Sequence, residues 1–178
     1  MNPLAGHLLL AHPGLGDPNF ARSVIFLSAH DEEKGAFGLV LNRLLDRQLP
    51  DLMPDEELGP LERCPIYFGG PVATNRLSFA EIVWDASTNS VRIDSNLTMD
   101  TARELMLLRP ETVRAFVGYS GWSEGQLESE MKSGSWLVQP ATPLALTWEV
   151  GDLWRRLVRE HGPHFTLLAD EPEDLSLN

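Results

Sequence analysis

The chain has 178 residues, with 14 Lys+Arg against 26 Asp+Glu, giving a formal charge of −12. That length suits one domain, and 43% hydrophobic with 22% charged residues is globular composition, which argues against a disordered chain. The acidity argues against a direct nucleic-acid binder, which needs a basic face to meet phosphates.

Unbroken apolar runs such as Leu8 to Ala11 are far shorter than the ~20 residues needed to span a bilayer, so no membrane partner is expected. The N-terminus shows no basic-then-apolar leader, and Cys64 is the only cysteine. An intrachain disulfide is therefore impossible, and a cytoplasmic location is the expectation. Asp170, Glu171, Glu173 and Asp174 crowd the end of the chain. They predict a short acidic tail, 170–178, on a single domain of residues 1–169.

Residues 7–12 and 22–30 read as buried strands joined by the Pro/Gly-rich loop Pro13 to Pro18. A polar turn, Asp31 to Gly35, links the second run to a third, Ala36 to Leu41, as a β-hairpin. Pro50, Pro54 and Pro60 interrupt 44–65, leaving room for one short helix at most. Ile66 to Phe68 is a short strand ending at Gly69-Gly70-Pro71, and Leu77 to Trp84 is a longer one. A turn at Asn89-Ser90 leads into Val91 to Ile93.

Helical spacing of Leu97, Ala102, Leu105 and Leu108 predicts a helix over 98–108, capped by Thr98 and stopped by Pro110. Val113 to Tyr119 alternates as a strand should, and Ser123-x-x-Gln126 is a capping-box pattern opening a helix that Gly134 closes. Trp136 to Val138 is a further strand. Val150, Leu153, Trp154, Leu157, Val158 and His161 form one helical stripe, with Gly162 placed at C′. Roughly seven strands and three helices that do not alternate as βαβ units predict an α+β fold, mixed or largely antiparallel.

The strong catalytic signatures are missing: no phosphate-loop pattern, no H-E-x-x-H, no C-x-x-C. Val117 to Trp122 resembles a nucleophile elbow around Ser120, although Trp122 stands where that pattern requires glycine. The alternative for this segment is a tight strand-to-helix turn. His7 and His12 are five apart and point to opposite faces of a strand, so they cannot share a metal. His161 and His164 follow a helix end and suit capping.

His30 ends a strand beside Asp31, Glu32 and Glu33, as a base, a ligand or a strand-end hydrogen bonder. Gly69-Gly70-Pro71 reads as a close backbone approach to a ligand or as a chain reversal. Arg63 beside Cys64 would lower the thiol pKa of an exposed cysteine. Of Trp84, Trp122, Trp136, Trp148 and Trp154, only Trp122 lies in a glycine-rich segment, which points to a surface or pocket role.

Taken in order, several blocks resemble the AlgH/YqgE family of bacterial proteins. They are Leu9 to Ala11 with Pro13, Asp17-Pro18, Phe20, Arg22 to Val24 and His30; Gly35 to Asn42; Gly69 to Pro71; Gly118 to Trp122; and Gly125 to Glu128 with Glu130, Trp136-Leu137 and Pro140. The resemblance covers nearly the whole chain. It departs at Asn42-Arg43-Leu44, where the family pattern has Asn-Lys-Pro, and at Arg76-Leu77-Ser78-Phe79, where it has Arg-Gly-Phe.

The resemblance implies an α+β fold with a branched sheet rolled into a pseudo-barrel, flanked by about three helices. It supplies no reaction. The family's name comes from a proposed role in transcriptional control of alginate synthesis, which for so acidic a chain would be indirect. The expected function is therefore a binding or regulatory protein for a small molecule or a protein partner, with no cofactor and no metal.

Pro13, Asp17, His30, Asn42, Gly69, Gly70, Pro71, Tyr119, Gly121, Trp122 and Gln126 are the candidate site residues. Their loops are expected to converge at one end of the sheet. The alternative is a small-molecule hydrolase using Ser120 or a His30–Asp17 arrangement, which requires a base within about 2.6–3.2 Å of the nucleophile.

Overall fold

The computed structural model describes residues 4–146 and 150–171. In chain order the elements are β1 (His7–Ala11), β2 (Val24–Asp31), β3 (Gly35–Val40), α1 (Leu49–Leu52), β4 (Ile66–Phe68), β5 (Val72–Asp85), β6 (Ser90–Leu97) and α2 (Met99–Leu108). They continue with β7 (Val113–Trp122), α3 (Gln126–Lys132), β8 (Trp136–Pro140), α4 (Val150–Arg159) and α5 (Pro163–Ala169). Five α-helices and eight strands among the described residues make an α+β protein.

The sheet runs β6-β5-β7-β3-β2-β1-β8, and its end strands do not pair with each other. β4 sits off this path, parallel to β7, so the sheet is branched and mostly antiparallel but open. The branch is at β7, which two arms of the sheet share. β7 pairs through Val113–Val117 with β5 and β4, and through Ser120–Trp122 with β3.

Alternation places the apolar residues of β1, β2 and β3 on two faces. Leu9, Ala11, Ile25, Leu27 and Val40 pack with Trp122, Trp136 and Leu127 of α3. Leu8, Leu10, Val24, Phe26, Leu39 and Leu41 face Leu153, Trp154, Leu157 and Val158 of α4. A third cluster joins α2, through Ala102, Leu105 and Met106, to Ile66, Phe79, Val113 and Ala115.

The helix expected to open at Ser123 starts instead at Gln126, with Gly125 at φ 69° as its N-cap, and two further boundaries move. The final helix divides: α4 ends at Arg159, and Gly162, at φ 116°, becomes the N-cap of α5 rather than a C-terminal cap. Pro163 explains the break, since it starts a helix well and cannot continue one. The second is β7, which continues through Gly118 to Trp122, so Ser120 lies within a paired strand and not on a strand-to-helix turn. Thr98 caps α2 as expected, accepting the Thr101 N–H at 3.2 Å. Asp170 closes the described C-terminus against Arg155 and Arg159. The rest of the expected acidic tail, beyond Glu171, lies outside the described residues, as does Trp148.

Candidate functional site

The glycines of the third motif block are explained by the branch. At Gly70, φ is 152° and an added Cβ would sit 2.2 Å from the Tyr119 carbonyl carbon; at Gly118, φ is 67° and it would sit 2.4 Å from the Gly70 carbonyl oxygen. Here the β4–β5 connection crosses β7 backbone to backbone, which only glycine permits. The close approach is therefore to the protein's own β7, and Pro71 follows as the bend that leads into β5. Ser120 is fully buried and donates to the Gly69 carbonyl at 3.1 Å. No imidazole or carboxylate among the described residues hydrogen-bonds its hydroxyl.

On the face covered by α3, the polar motif residues bond to each other. A β-bulge between Leu27 and Ala29 shifts the alternation of β2, turning His30 toward α3. Its side chain is only 4% exposed, and its Nε2 lies 2.7 Å from Glu128 Oε1. Nδ1 accepts the Leu4 N–H at 3.0 Å, so the proton sits on Nε2 and is donated to the carboxylate. That bond, and a bond from its own backbone amide, hold the Glu128 carboxyl below its ordinary value.

Glu130 accepts both indole N–H groups through Oε2, Trp122 at 2.9 Å and Trp136 at 2.8 Å. Its Oε1 accepts from Gln126 Nε2 at 3.0 Å, while Gln126 Oε1 accepts the Ser123 N–H at 3.1 Å. Phe20 stacks on Trp122 at 6.3 Å and meets Trp136 edge-on at 5.6 Å. Trp122 is only 5% exposed, so its expected surface role is corrected: it is a core aromatic with a satisfied N–H.

The other polar motif residues stand elsewhere. Asn42 accepts the Val24 N–H at 2.8 Å and donates to the Arg22 carbonyl at 2.9 Å, tying the end of β3 to the start of β2. Arg43 donates to the Pro18, Asn19 and Ala21 carbonyls and so shapes the loop before β2. In that loop Asp17 accepts the Asn19 N–H at 2.8 Å as an Asx-turn. Pro13 occupies the second position of a turn closed by Leu15 N–H to the His12 carbonyl.

The expected convergence at one end is thus not found. Asn42 sits beside Val24 at the start of β2, and His30 is six residues further along it, roughly 20 Å at ~3.3 Å per residue. Gly121 and Trp122 pair with Phe37 and Ala36, near His30. Gly69 and Gly70 lie between the two groups, and Tyr119 packs on Phe37 at 4.9 Å. His30 pairs with Glu128 and not with Asp17, so the alternative hydrolytic pairing is not assembled.

Cys64 is buried, not exposed, and burial pushes its thiol up to about 12, the reverse of activation by Arg63. His161 bonds Gln139 at 2.8 Å instead of capping a helix end. The described residues contain no group of three or more His, Cys, Asp or Glu able to hold a metal.

One concavity does touch the motif residues. Ala21, Arg22, Asn42, Arg43, Val150, Gly151, Trp154 and Arg155 line a cleft of about 340 Å3. Arg22 adopts φ 56°, lies over the Trp154 ring at 5.3 Å and donates to the Glu171 carbonyl at 2.7 Å. Arg155 is held by Asp152 at 3.2 Å and faces Asp170 at 3.7 Å. Burial lowers the Arg43 guanidinium from its ordinary value, and the field of Asp17 opposes that shift. A larger groove of about 790 Å3 lies on the α2 side and contains none of the motif residues. Sequence reading singled out Asn42 but not the arginines around it, because segments near 22, 43 and 155 meet only in the tertiary fold, where Arg22 reaches Trp154 and Glu171.

The sequence model of the AlgH-like family matches residues 8–166. A UPF0301 protein of Chlorobium luteolum is 34% identical over 98% of this chain and 94% of its own length. A second UPF0301 protein, from Streptomyces coelicolor, is 33% identical over 100% of this chain and 97% of its own. Among solved structures, the solution structure of the AlgH protein from Pseudomonas aeruginosa aligns with TM-score 0.70 and 29% identity, covering 97% of this chain and 96% of that one. The crystal structure of a Corynebacterium diphtheriae protein aligns with TM-score 0.74 and 26% identity, covering 96% and 94%.

Proposed function

The chain belongs to the AlgH-like family, and we propose that it is a binding protein that takes a small anionic group in the cleft beside Asn42. One observation carries the reading. In a chain of net charge −12, three arginines, Arg22, Arg43 and Arg155, line a single cavity. Guanidinium groups match phosphate and carboxylate oxygens through paired N–H donors. Val150 and Gly151 add the first turn of α4, where backbone N–H groups and the positive end of the helix dipole favour an anion. The cation–π contact of Arg22 and the ion pairs of Arg155 hold these side chains in place, which lowers the ordering cost of binding.

A binding role also accords with the α3 face, where His30, Trp122 and Gln126 have their polar atoms engaged internally. To the same reading belong a single domain ending near Ala169, a cytoplasmic location and an indirect part in any transcriptional control. An acidic chain that responds to a small ligand would act on transcription through a protein partner, not through duplex DNA.

Titrating isotope-labelled protein with inorganic phosphate at constant ionic strength tests the reading by NMR. Saturable shifts at the Ala21 and Gly151 amides, absent with sodium chloride, are the expected result. Shifts no larger than those caused by chloride, or spread evenly over the surface, would overturn it. Arg43→Lys keeps the charge but loses the planar fork and should weaken the response about tenfold.

A further inference from the structure

A second concavity lies away from the arginine cleft. The ₃10 turn Gly59–Arg63 and the C-terminal end of α2 border a groove of about 790 Å3. Its walls are apolar: Pro60, Pro65, Met106 and Leu107. Helix geometry explains why Leu107 is left outside. Ala102, Leu105 and Met106 turn toward the core, which puts Leu107 on the opposite side, and Leu108, expected on the buried stripe, also faces outward as the last residue of the helix. Leu107 and Leu108 are 73% and 80% exposed, an unusual pair for a helix of ten residues.

The two chain segments that form the groove are acidic. Residues 55–63 and 99–112 carry seven carboxylates against three arginines. Of those arginines, Arg103 is paired with Asp100 and Arg109 with Glu81. Glu62 and Glu111 stand on the groove itself, with Arg63 the one cationic side chain on it. An apolar channel with Glu62 and Glu111 on its edge suits an amphipathic segment that offers an apolar anchor between lysines or arginines. Anionic lipid headgroups would be repelled by the same edge, and a second copy of the chain brings another −12 charges to it.

We propose that the groove between Gly59–Arg63 and the end of α2 docks a basic amphipathic helix of a partner protein, with Leu107 as the central apolar contact. The site is separate from the arginine-lined cleft and does not depend on it. Lysine and arginine side chains of the partner lie over Glu62 and Glu111, and its apolar face fills the channel.

The probe is a synthetic amphipathic peptide of leucine and lysine about four turns long, compared with the same peptide carrying glutamate for lysine. The lysine peptide should bind, should weaken with rising salt, and should shift NMR signals confined to 59–65 and 106–111. Leu107→Asp, at a position exposed enough to leave folding intact, should weaken it at least tenfold. The double change Glu62→Lys with Glu111→Lys should weaken it several-fold. Arg155→Gln should leave this binding untouched even if it abolishes the phosphate response.

Equal binding of both peptides, shifts located elsewhere, or no effect of Leu107→Asp would overturn the proposal. So would sedimentation showing a dimer that Leu107→Asp dissociates, since the groove would then serve self-association.

Discussion

On the face covered by α3, both ring nitrogens of His30 and the indole N–H groups of Trp122 and Trp136 bond to Leu4, Glu128 and Glu130. On the side where α4 begins, Asn42 and Arg43 also hold backbone, yet with Arg22 and Arg155 they border a cleft. The two regions draw on equally polar motif residues. What separates them is the covering element: α3 brings carboxylates at the right spacing to close the network, whereas the start of α4 brings Gly151 and a single carboxylate, Asp152, which pairs with Arg155 and does not fill the cleft. A polar motif residue thus marks a function only after its internal partners are counted.

The crossing that lies between the two regions gives the largest expected effect. Gly70→Ala drives a Cβ into the Tyr119 backbone at 2.2 Å, where no side chain can yield. A loss of about 3–5 kcal/mol, read by urea denaturation, is expected from overpacking on this scale. A loss below ~1 kcal/mol would show that β7 can shift away, and that the branch does not fix the distance between the regions.

Breaking the α3 network comes next. Glu130→Ala removes the acceptor from two indole N–H groups whose residues are each 5% exposed. Leaving buried donors unsatisfied should cost about 2–4 kcal/mol. Phosphate binding at the cleft should be unchanged in this variant. Loss of both together would join the two regions into one.

Acid sharpens the comparison further. The His30 Nε2–H, more than the Glu128 backbone amide, depresses the Glu128 carboxyl in the native state. A carboxyl with a lowered native pKa stabilises the fold above its unfolded value, roughly 4.3, and that contribution is lost as pH falls through the native value. Wild type should therefore exceed Glu128→Gln in unfolding free energy by a constant margin near neutrality, and the margin should shrink below about pH 4. A margin that grows toward acid pH would reverse the sign and remove this bond from the network.

Most of the fold was legible because alternation and breakers are local signals. The hairpin of β2 and β3 follows from two apolar runs around Asp31 to Gly35, and α2 follows from its spacing and from Thr98. The bulge that turns His30 inward is not local in this sense, since it is set by the partner strand and by Glu128. Trp122 looked accessible because glycines precede it, yet those glycines serve backbone crossing and strand pairing. The helical signal read for the network was Ser123-x-x-Gln126, of which the bond from the Ser123 N–H to Gln126 Oε1 is present. The arginine cleft had no such signal. It is assembled from residues near 22, 43 and 155, which only the tertiary fold brings together.

The smallest effect on stability belongs to Arg155→Gln, and it divides the two regions most cleanly. Arg155 is partly exposed and paired with Asp152 and Asp170, which are themselves well exposed. Exposed ion pairs contribute about 0–1 kcal/mol each, and the bond of Arg155 Nε to the Ala169 carbonyl adds a similar amount. The unfolding free energy should fall by about 1–2 kcal/mol. Removing one of the three cleft arginines should nonetheless weaken phosphate binding about tenfold, because the neutral amide keeps the size but not the charge or the fork. Measured together, the two quantities separate roles that either alone would confuse. A small stability loss with intact phosphate binding would reduce Arg155 to a surface ion pair and leave the cleft to Arg22 and Arg43. If binding and stability instead fell in parallel, the cleft would be closed like the α3 face, its arginines serving only to hold α4 and α5 against the sheet.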